Sequence, residues 1–121
     1  MTGQDLRLLL LTARLSSAAG GLAVSVPGMA RHLDARPGLQ THVMGTRDPA
    51  QPDAWADWGP RVHPQDARGP AALHYAKGMD AAIDRIAPDV IDVQGLWTYP
   101  SLASLRRFRR HGLPYLVTPR G

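Results

Sequence analysis

Two segments of the chain combine glycine with side chains that can contact a polar ligand. In the first, Gly20 and Gly21 stand next to each other just before an apolar segment of helical spacing. In the second, Gln94, Gly95 and Trp97 follow a short apolar run. Adjacent glycines let backbone amides approach a phosphate at the start of a helix. Glutamine can hydrogen-bond a hydroxyl, and an indole can cover an apolar ring face.

The same residues also have a purely structural interpretation. A tight turn from strand to helix needs glycine whether or not a ligand binds, and no GxGxxG dinucleotide fingerprint follows Leu11. Gln94 and Trp97 can equally be turn residues. Asp92 alternates with apolar positions, which suits a structural hydrogen-bond acceptor as well as a base.

Composition excludes several other classes of chemistry. The chain has no cysteine, which rules out disulfides and thiolate chemistry and fits a reducing compartment. None of its five histidines is spaced from another as a metal-ligand pair, so no metal site is predicted. The apolar run 8–11 is too short for a signal peptide or a membrane span. A cytoplasmic protein without a cofactor is the prediction.

Basic residues are concentrated in one predicted helix. The net charge is +4, but the basic residues do not form a stripe with interleaved aromatics, so a nucleic-acid partner is not predicted. An amphipathic helix over 101–111 places Arg106, Arg107 and Arg110 largely on its outer side. That side is either a solvated surface or a peripheral contact with anionic lipid at the cytoplasmic membrane.

Apolar runs of strand length alternate with segments of helical spacing. This pattern predicts βαβ units, and hence an open, doubly wound, Rossmann-like parallel sheet of four to five strands with helices on both faces. Central strands are buried on both sides, which the continuous apolar first run indicates. The predicted strands are 6–11, 40–45, a short 61–63, 90–94 and 114–118, and the predicted helices are 22–35, 71–87 and 101–111.

Two details of this prediction depend on local signals. Pro27 favours a first-turn position, and Ser25 is a plausible cap, so the first helix is predicted to begin nearer 25 than 22. The stretch 46–70 lacks periodicity and is predicted to be an irregular excursion. Trp55 and Trp58 within it either pin the excursion to the body or stack on a sugar.

The order of the elements predicts where a ligand binds. In a doubly wound sheet, the loops after the first and fourth major strands flank the topological switch point. These loops are 13–21 and 94–100, so Gly20, Gly21, Gln94 and Trp97 are predicted to line one cleft.

Two longer stretches resemble a known family. QGLWTYPS, followed by GLPYLVTPRG, resembles the amino-terminal half of family 4 glycosyltransferases of the two-domain GT-B type. The run from Arg7 to Thr12 with Gly20-Gly21 is similar to the first strand and double-glycine loop of that family. Only about residues 46–71 carry no resemblance. The resemblance implies a retaining hexosyltransferase-type enzyme that moves a sugar from a nucleotide-sugar donor to a glycan or lipid-linked acceptor, in polysaccharide or cell-envelope glycan synthesis.

The resemblance also implies site roles. Gly20 and Gly21 would bind the donor diphosphate, and the acceptor or sugar would be bound by Gln94, Gly95, Trp97 and Arg120. Many family members carry a His-x-His pair where this chain has Asp92 and Gln94. This departure removes a histidine base, so no catalytic residue is assigned.

The resemblance further implies a second, donor-binding domain that bears paired glutamates. The ten acidic residues here are all aspartate, so residues 1–121 are expected to be an incomplete amino-terminal domain that is inactive alone. Two other interpretations stay open. One is a stand-alone doubly wound binding module, although Thr12, Ala13 and Arg14 lack the acidic pair of a receiver domain. The other is a non-catalytic partner of a separately encoded donor domain.

Overall fold

The structure is a computed structural model that describes residues 5–68, 75–76, 79–94 and 115–118. The strands are β1 (Leu6–Arg14), β2 (Leu39–Thr46), β3 (Val62–Gln65), β4 (Ala67–Arg68), β5 (Tyr75–Ala76), β6 (Val90–Gln94) and β7 (Tyr115–Thr118). The helices are α1 (Leu22–Asp34) and α2 (Met79–Ile86), and two short 3₁₀ turns cover Ser17–Ala19 and Ala54–Asp57.

Five of the strands form one sheet in the order β3-β2-β1-β6-β7. All four pairings in this sheet are parallel. The central pairing sets Leu8 opposite Val90 and Leu11 opposite Val93. This arrangement confirms the predicted α/β fold with an open parallel sheet.

Two apolar clusters cover the two faces of the sheet, as the continuous apolar pattern of β1 requires. On the first face, Leu9 and Leu11 pack in one cluster with Ile83 of α2. On the second, Leu10 packs with Val26 of α1. These faces are called the α2 face and the α1 face below. Because consecutive strand residues point to opposite sides, the helices lie on opposite faces of the sheet, as predicted.

The predicted start of the first helix was wrong. The helix α1 begins at Leu22, with Gly21 as its N-cap, and Pro27 lies inside it. Beginning at 22 lets Leu22 and Ala23 pack against the core cluster of the α1 face, which an extended segment before residue 25 would forgo. Burial of this additional turn outweighs the hydrogen bond that Pro27 cannot donate.

The predicted helix 71–87 was wrong at Tyr75–Ala76, which pairs antiparallel with Ala67–Arg68. The described helix runs from Met79 to Ile86. At Tyr75 and Ala76, a tertiary pairing therefore overrides the local helical spacing. The predicted strand at 61–63 exists but lies at Val62–Gln65, and the predicted helix 101–111 lies outside the described residues.

The irregular excursion after β2 is attached to the α1 face by its tryptophans. Trp58 is 3% exposed within the core cluster, and Trp55 packs against the same cluster. The amide of Trp58 donates to the carbonyl of Trp55 at 3.1 Å. The interpretation that these residues pin the excursion is confirmed for Trp58, whose burial leaves no ring face for a sugar.

Candidate functional site

The carboxyl ends of β1 and β6 meet at the point where the chain reverses its direction across the sheet. From β1 the chain proceeds to β2 and β3 on one side, and it later returns to β6 and β7 on the other. A crevice forms at such a switch point in doubly wound sheets, because the two following connections diverge to opposite faces. The loop with Gly20 and Gly21 follows β1, and Gln94 ends β6. The described parts of the two predicted loops thus share one edge of the sheet.

The loop after β1 is held close to the sheet before it reaches the glycines. Leu15 is fully buried, and its amide donates to the carbonyl of Thr46 at 2.8 Å. Ser16 then caps the 3₁₀ turn, because its hydroxyl accepts from the amide of Ala18 at 3.2 Å. This capped turn fixes the direction in which the chain enters Gly20 and Gly21.

Gly20 and Gly21 differ in their backbone conformations. Gly20 has φ 65° and ψ −130°, a conformation that is essentially restricted to glycine. Gly21 has φ −58° and ψ −27°, which any residue adopts. A Cβ atom at Gly21 would meet no described heavy atom within 4 Å. The turn therefore explains glycine at 20 but not at 21.

The start of α1 presents amides that lack acceptors among the described residues. Ala23 and Ser25 donate to the carbonyls of Gly20 and Gly21, each at 3.0 Å. The amides of Gly21 and Leu22 make no such bond within the described part of the chain. Free amides at the positive end of a helix dipole favour an anion.

A buried carboxylate fastens the glycine loop to the loop after β2. The Ser16 hydroxyl donates to Asp48 Oδ2 at 2.6 Å, and the Ala50 amide donates to Asp48 Oδ1 at 2.9 Å. These bonds, the Ser16 bond foremost, lower the pKa of Asp48 below its ordinary value. Gln51 adds a second link, since its Nε2 donates to Ser17 Oγ at 2.7 Å. Polar bonds from the loop after β2 therefore hold the loop that carries the glycines.

Across the switch point from the glycine loop, Gln94 is the last residue of β6 and is 3% exposed. Asp92, two residues earlier, lies opposite Leu10 and so shares the α1 face. Thr12, at the end of β1, is fully buried. The other predicted site residues lie outside the described part of the chain: Gly95, Trp97 and Arg120, together with the predicted membrane-facing Arg106, Arg107 and Arg110.

One pair of polar side chains was missed by sequence reasoning. His42 Nδ1 lies 2.9 Å from His63 Nε2, and His42 Nε2 lies 2.8 Å from Gln40 Oε1. Sequence spacing alone gave no reason to pair these histidines. The signal that could have found them is the alternation of β2, combined with the parallel register that sets Met44 opposite His63.

The histidine pair lies away from the switch-point crevice, on the α2 face. Burial, followed by the neighbouring His63, lowers the pKa of His42 to about 4. Burial also lowers the pKa of His63, with Arg85 contributing. Both imidazoles are therefore neutral at pH 7. Within the described residues, no group of three or more His, Cys, Asp or Glu side chains is arranged to hold a metal ion.

Comparison with known families gives one match. The model of a family described as a glycosyl transferase 4-like domain matches residues 20–121, a range that begins at the glycine pair. No curated protein and no solved structure matches the chain. Among the described helices, none has the length and apolar character needed to cross a membrane.

Proposed function

The chain belongs to the glycosyl transferase 4-like family, and we propose that it forms the acceptor-side part of a retaining enzyme that uses a nucleotide-sugar donor. The acceptor is a glycan or a lipid-linked sugar, and the product enters polysaccharide or cell-envelope glycan synthesis at the cytoplasmic side of the membrane. The enzyme is of the hexosyltransferase type and needs no cofactor besides the donor.

The observation that carries this proposal is the geometry of the glycine loop. The Gly21 and Leu22 amides lie at the positive end of a helix of 13 residues, without an acceptor among the described residues. Open space surrounds the position of a Cβ atom at Gly21. A donor diphosphate supplies both the acceptor oxygens and the negative charge that this loop lacks.

Gln94 and residues beyond the end of β6 complete the proposed site. Gln94, at the strand end, hydrogen-bonds a sugar hydroxyl, and Gly95 contributes to the same acceptor site. Trp97 covers an apolar face of the sugar ring, and Arg120 pairs with a phosphate or a carboxylated sugar. Peripheral contact with anionic lipid through Arg106, Arg107 and Arg110 would hold the site near a lipid-linked acceptor.

In the proposed reaction, two domains share the binding of donor and acceptor. Family resemblance implies that most of the donor is held by a second domain with paired glutamates, and these 121 residues contain no glutamate. Orienting donor against acceptor accounts for about 7–11 kcal/mol of barrier reduction in well-ordered sites. We therefore expect no measurable sugar transfer by this chain alone, with sugar nucleotides and free or lipid-linked acceptors as substrates.

A binding experiment tests the diphosphate role directly. In ¹⁵N NMR spectra of the chain, titration with UDP or GDP should shift the amide signals of Gly21 and Leu22. Gly21→Ala should weaken this binding, because the added methyl group occupies the space through which the phosphates approach. Its effect on the free energy of unfolding should stay within about 0.5 kcal/mol. Alanine is a poorer N-cap than glycine, which destabilises the helix, but it also lowers the conformational entropy of the unfolded chain, and the two effects nearly cancel.

Gly28→Ala is the matched control. Gly28 lies in the same helix, and a Cβ atom there also meets nothing within 4 Å. It should leave nucleotide affinity unchanged and stabilise the helix by about 0.5–1 kcal/mol. Equal nucleotide affinity in the wild type, Gly21→Ala and Gly28→Ala would refute the diphosphate role.

A further inference from the structure

A polar pocket lies on the α2 face of the sheet, opposite the face that α1 covers. Its volume is about 470 Å³. Its walls come from the amino-terminal halves of β1 and β2, from β3, and from α2. The switch point, in contrast, lies between the carboxyl ends of β1 and β6. The polar side chains that line the pocket are Arg7, Gln40, His42, His63, Gln65 and Arg85.

The charge of this lining is entirely positive. None of its ten described residues is an aspartate or a glutamate. Neither Arg7 nor Arg85 forms an ion pair with a described carboxylate. Arg7 is held in place because one guanidinium nitrogen donates to the carbonyl of Ile86 at 3.2 Å. Each guanidinium still has N–H donors to offer, since arginine carries five.

One choice of tautomers satisfies both contacts of the histidine pair. With the His42 hydrogen on Nε2, that atom donates to Gln40 Oε1, which can only accept. His42 Nδ1 then accepts, and the hydrogen on His63 Nε2 is donated to it. His63 Nδ1 is thereby the atom of the pair that can take up a further proton.

Two kinds of ligand are compatible with a pair of imidazoles, and the surrounding charge decides between them. A divalent cation would lie among guanidinium groups that no described carboxylate neutralises. An oxyanion instead gains charge-assisted hydrogen bonds from those same groups. We propose that this pocket binds a phosphate group, through Arg7 and Arg85 at its rim and His63 and Gln65 within it.

The proposed site has a characteristic pH dependence. The charged groups that face the histidine pair are Arg7 from β1, Arg61 before β3, Arg85 from α2 and, opposing them, Asp34 at the end of α1. Asp34 is already engaged, since it accepts from Arg61 and from the Thr41 amide. A bound anion offsets the repulsion from the arginines and favours a protonated His63. Anion binding is therefore coupled to proton uptake and strengthens as the pH falls.

Sulfate is the probe for this coupling, because its own charge stays constant over the pH range used. Titration with sulfate should shift the ring signals of His42 and His63, with a higher affinity at about pH 5.5 than at about pH 7.5. Arg85→Gln should weaken sulfate binding about tenfold, the effect of one charge-assisted hydrogen bond. His63→Gln should remove the pH dependence.

Arg36→Gln is the matched control, since Arg36 is exposed, lies beyond the end of α1 and does not line the pocket. It changes the net charge by the same amount and should leave sulfate affinity unchanged. Equal weakening by Arg36→Gln and Arg85→Gln would show general charge screening and overturn the site. Tight Zn²⁺ binding at the histidine pair, with no response to sulfate, would overturn it as well.

Three further ligands identify the source of the phosphate. These are inorganic phosphate, glucose 6-phosphate, and phosphatidylcholine vesicles with and without phosphatidic acid. Binding that Arg85→Gln weakens supports the site and names its source, and failure of all three to bind overturns it. Gly21→Ala should not alter any of these affinities, so failure here is distinguishable from failure of the diphosphate role.

Discussion

The hydroxyl of Ser16 donates a 2.6 Å hydrogen bond to Asp48 Oδ2, and both residues are buried. This bond connects the loops that follow two neighbouring strands, β1 and β2. Ser16 also caps the turn that leads to Gly20 and Gly21. The position of the glycine pair therefore depends on a carboxylate from a different part of the chain.

Replacing this carboxylate should loosen the glycine loop and destabilise the fold. Asp48→Ala leaves the Ser16 hydroxyl and the Ala50 amide without their acceptor, and polar groups that lose a partner on burial are costly. The control is Asp66→Ala, which removes an ion pair with Arg47 in which the Asp66 side chain is 82% exposed. Such surface pairs contribute about 0–1 kcal/mol. Urea unfolding should show the larger loss for Asp48→Ala, and equal losses would contradict the role of the Ser16 bond.

The two glycines of the loop should respond differently to alanine. Gly20→Ala forces an L side chain into φ 65°, ψ −130°, so we expect a loss of about 1–3 kcal/mol in the free energy of unfolding. Gly21→Ala meets neither strain nor a neighbour. Thermal or urea unfolding of the two variants checks this difference. A larger loss at 21 than at 20 would show that the loop geometry is wrong.

Truncation of the two tryptophans should destabilise the fold to different extents, because Trp58 lies in the core and Trp55 packs against it. Trp58 is 3% exposed in the cluster of the α1 face, so Trp58→Ala should cost about 3–5 kcal/mol. Trp55 is only partly buried, and Trp55→Ala should cost clearly less. Denaturant unfolding measures both values. If Trp58→Ala were the milder change, the excursion would not be pinned as the structure shows.

Sequence periodicity predicted the sheet and its order of elements because buried strands and amphipathic helices leave strong patterns. It failed where tertiary contacts override local signals. Pro27 suggested a later helix start, but packing of Leu22 and Ala23 extends α1 toward Gly21. The sequence around Tyr75 has helical spacing, yet Tyr75 pairs with Arg68 in an antiparallel strand pair.

The candidate site was only partly predictable for the same reason. The switch-point rule brought Gly20, Gly21 and Gln94 to one edge, because connection topology follows from element order. The Ser16–Asp48 bond and the contact between His42 and His63 depend on register between strands and on loop conformation. Neither is encoded in the spacing of residues along the chain.

The final prediction concerns the pH dependence of stability. The pKa of His42 is lowered from 6.5 to about 4, chiefly by burial. The unfolded chain therefore binds a proton at His42 in the pH range where the folded chain does not. By linkage, the stability associated with neutral His42 is fully present above about pH 6.5 and is lost progressively as the pH falls toward 4. His42→Gln should flatten this part of the stability profile. Urea unfolding at a series of pH values, in a buffer free of phosphate and sulfate, measures both profiles. A wild-type profile that is flat over this range, or parallel to that of His42→Gln, would contradict a neutral buried imidazole at position 42.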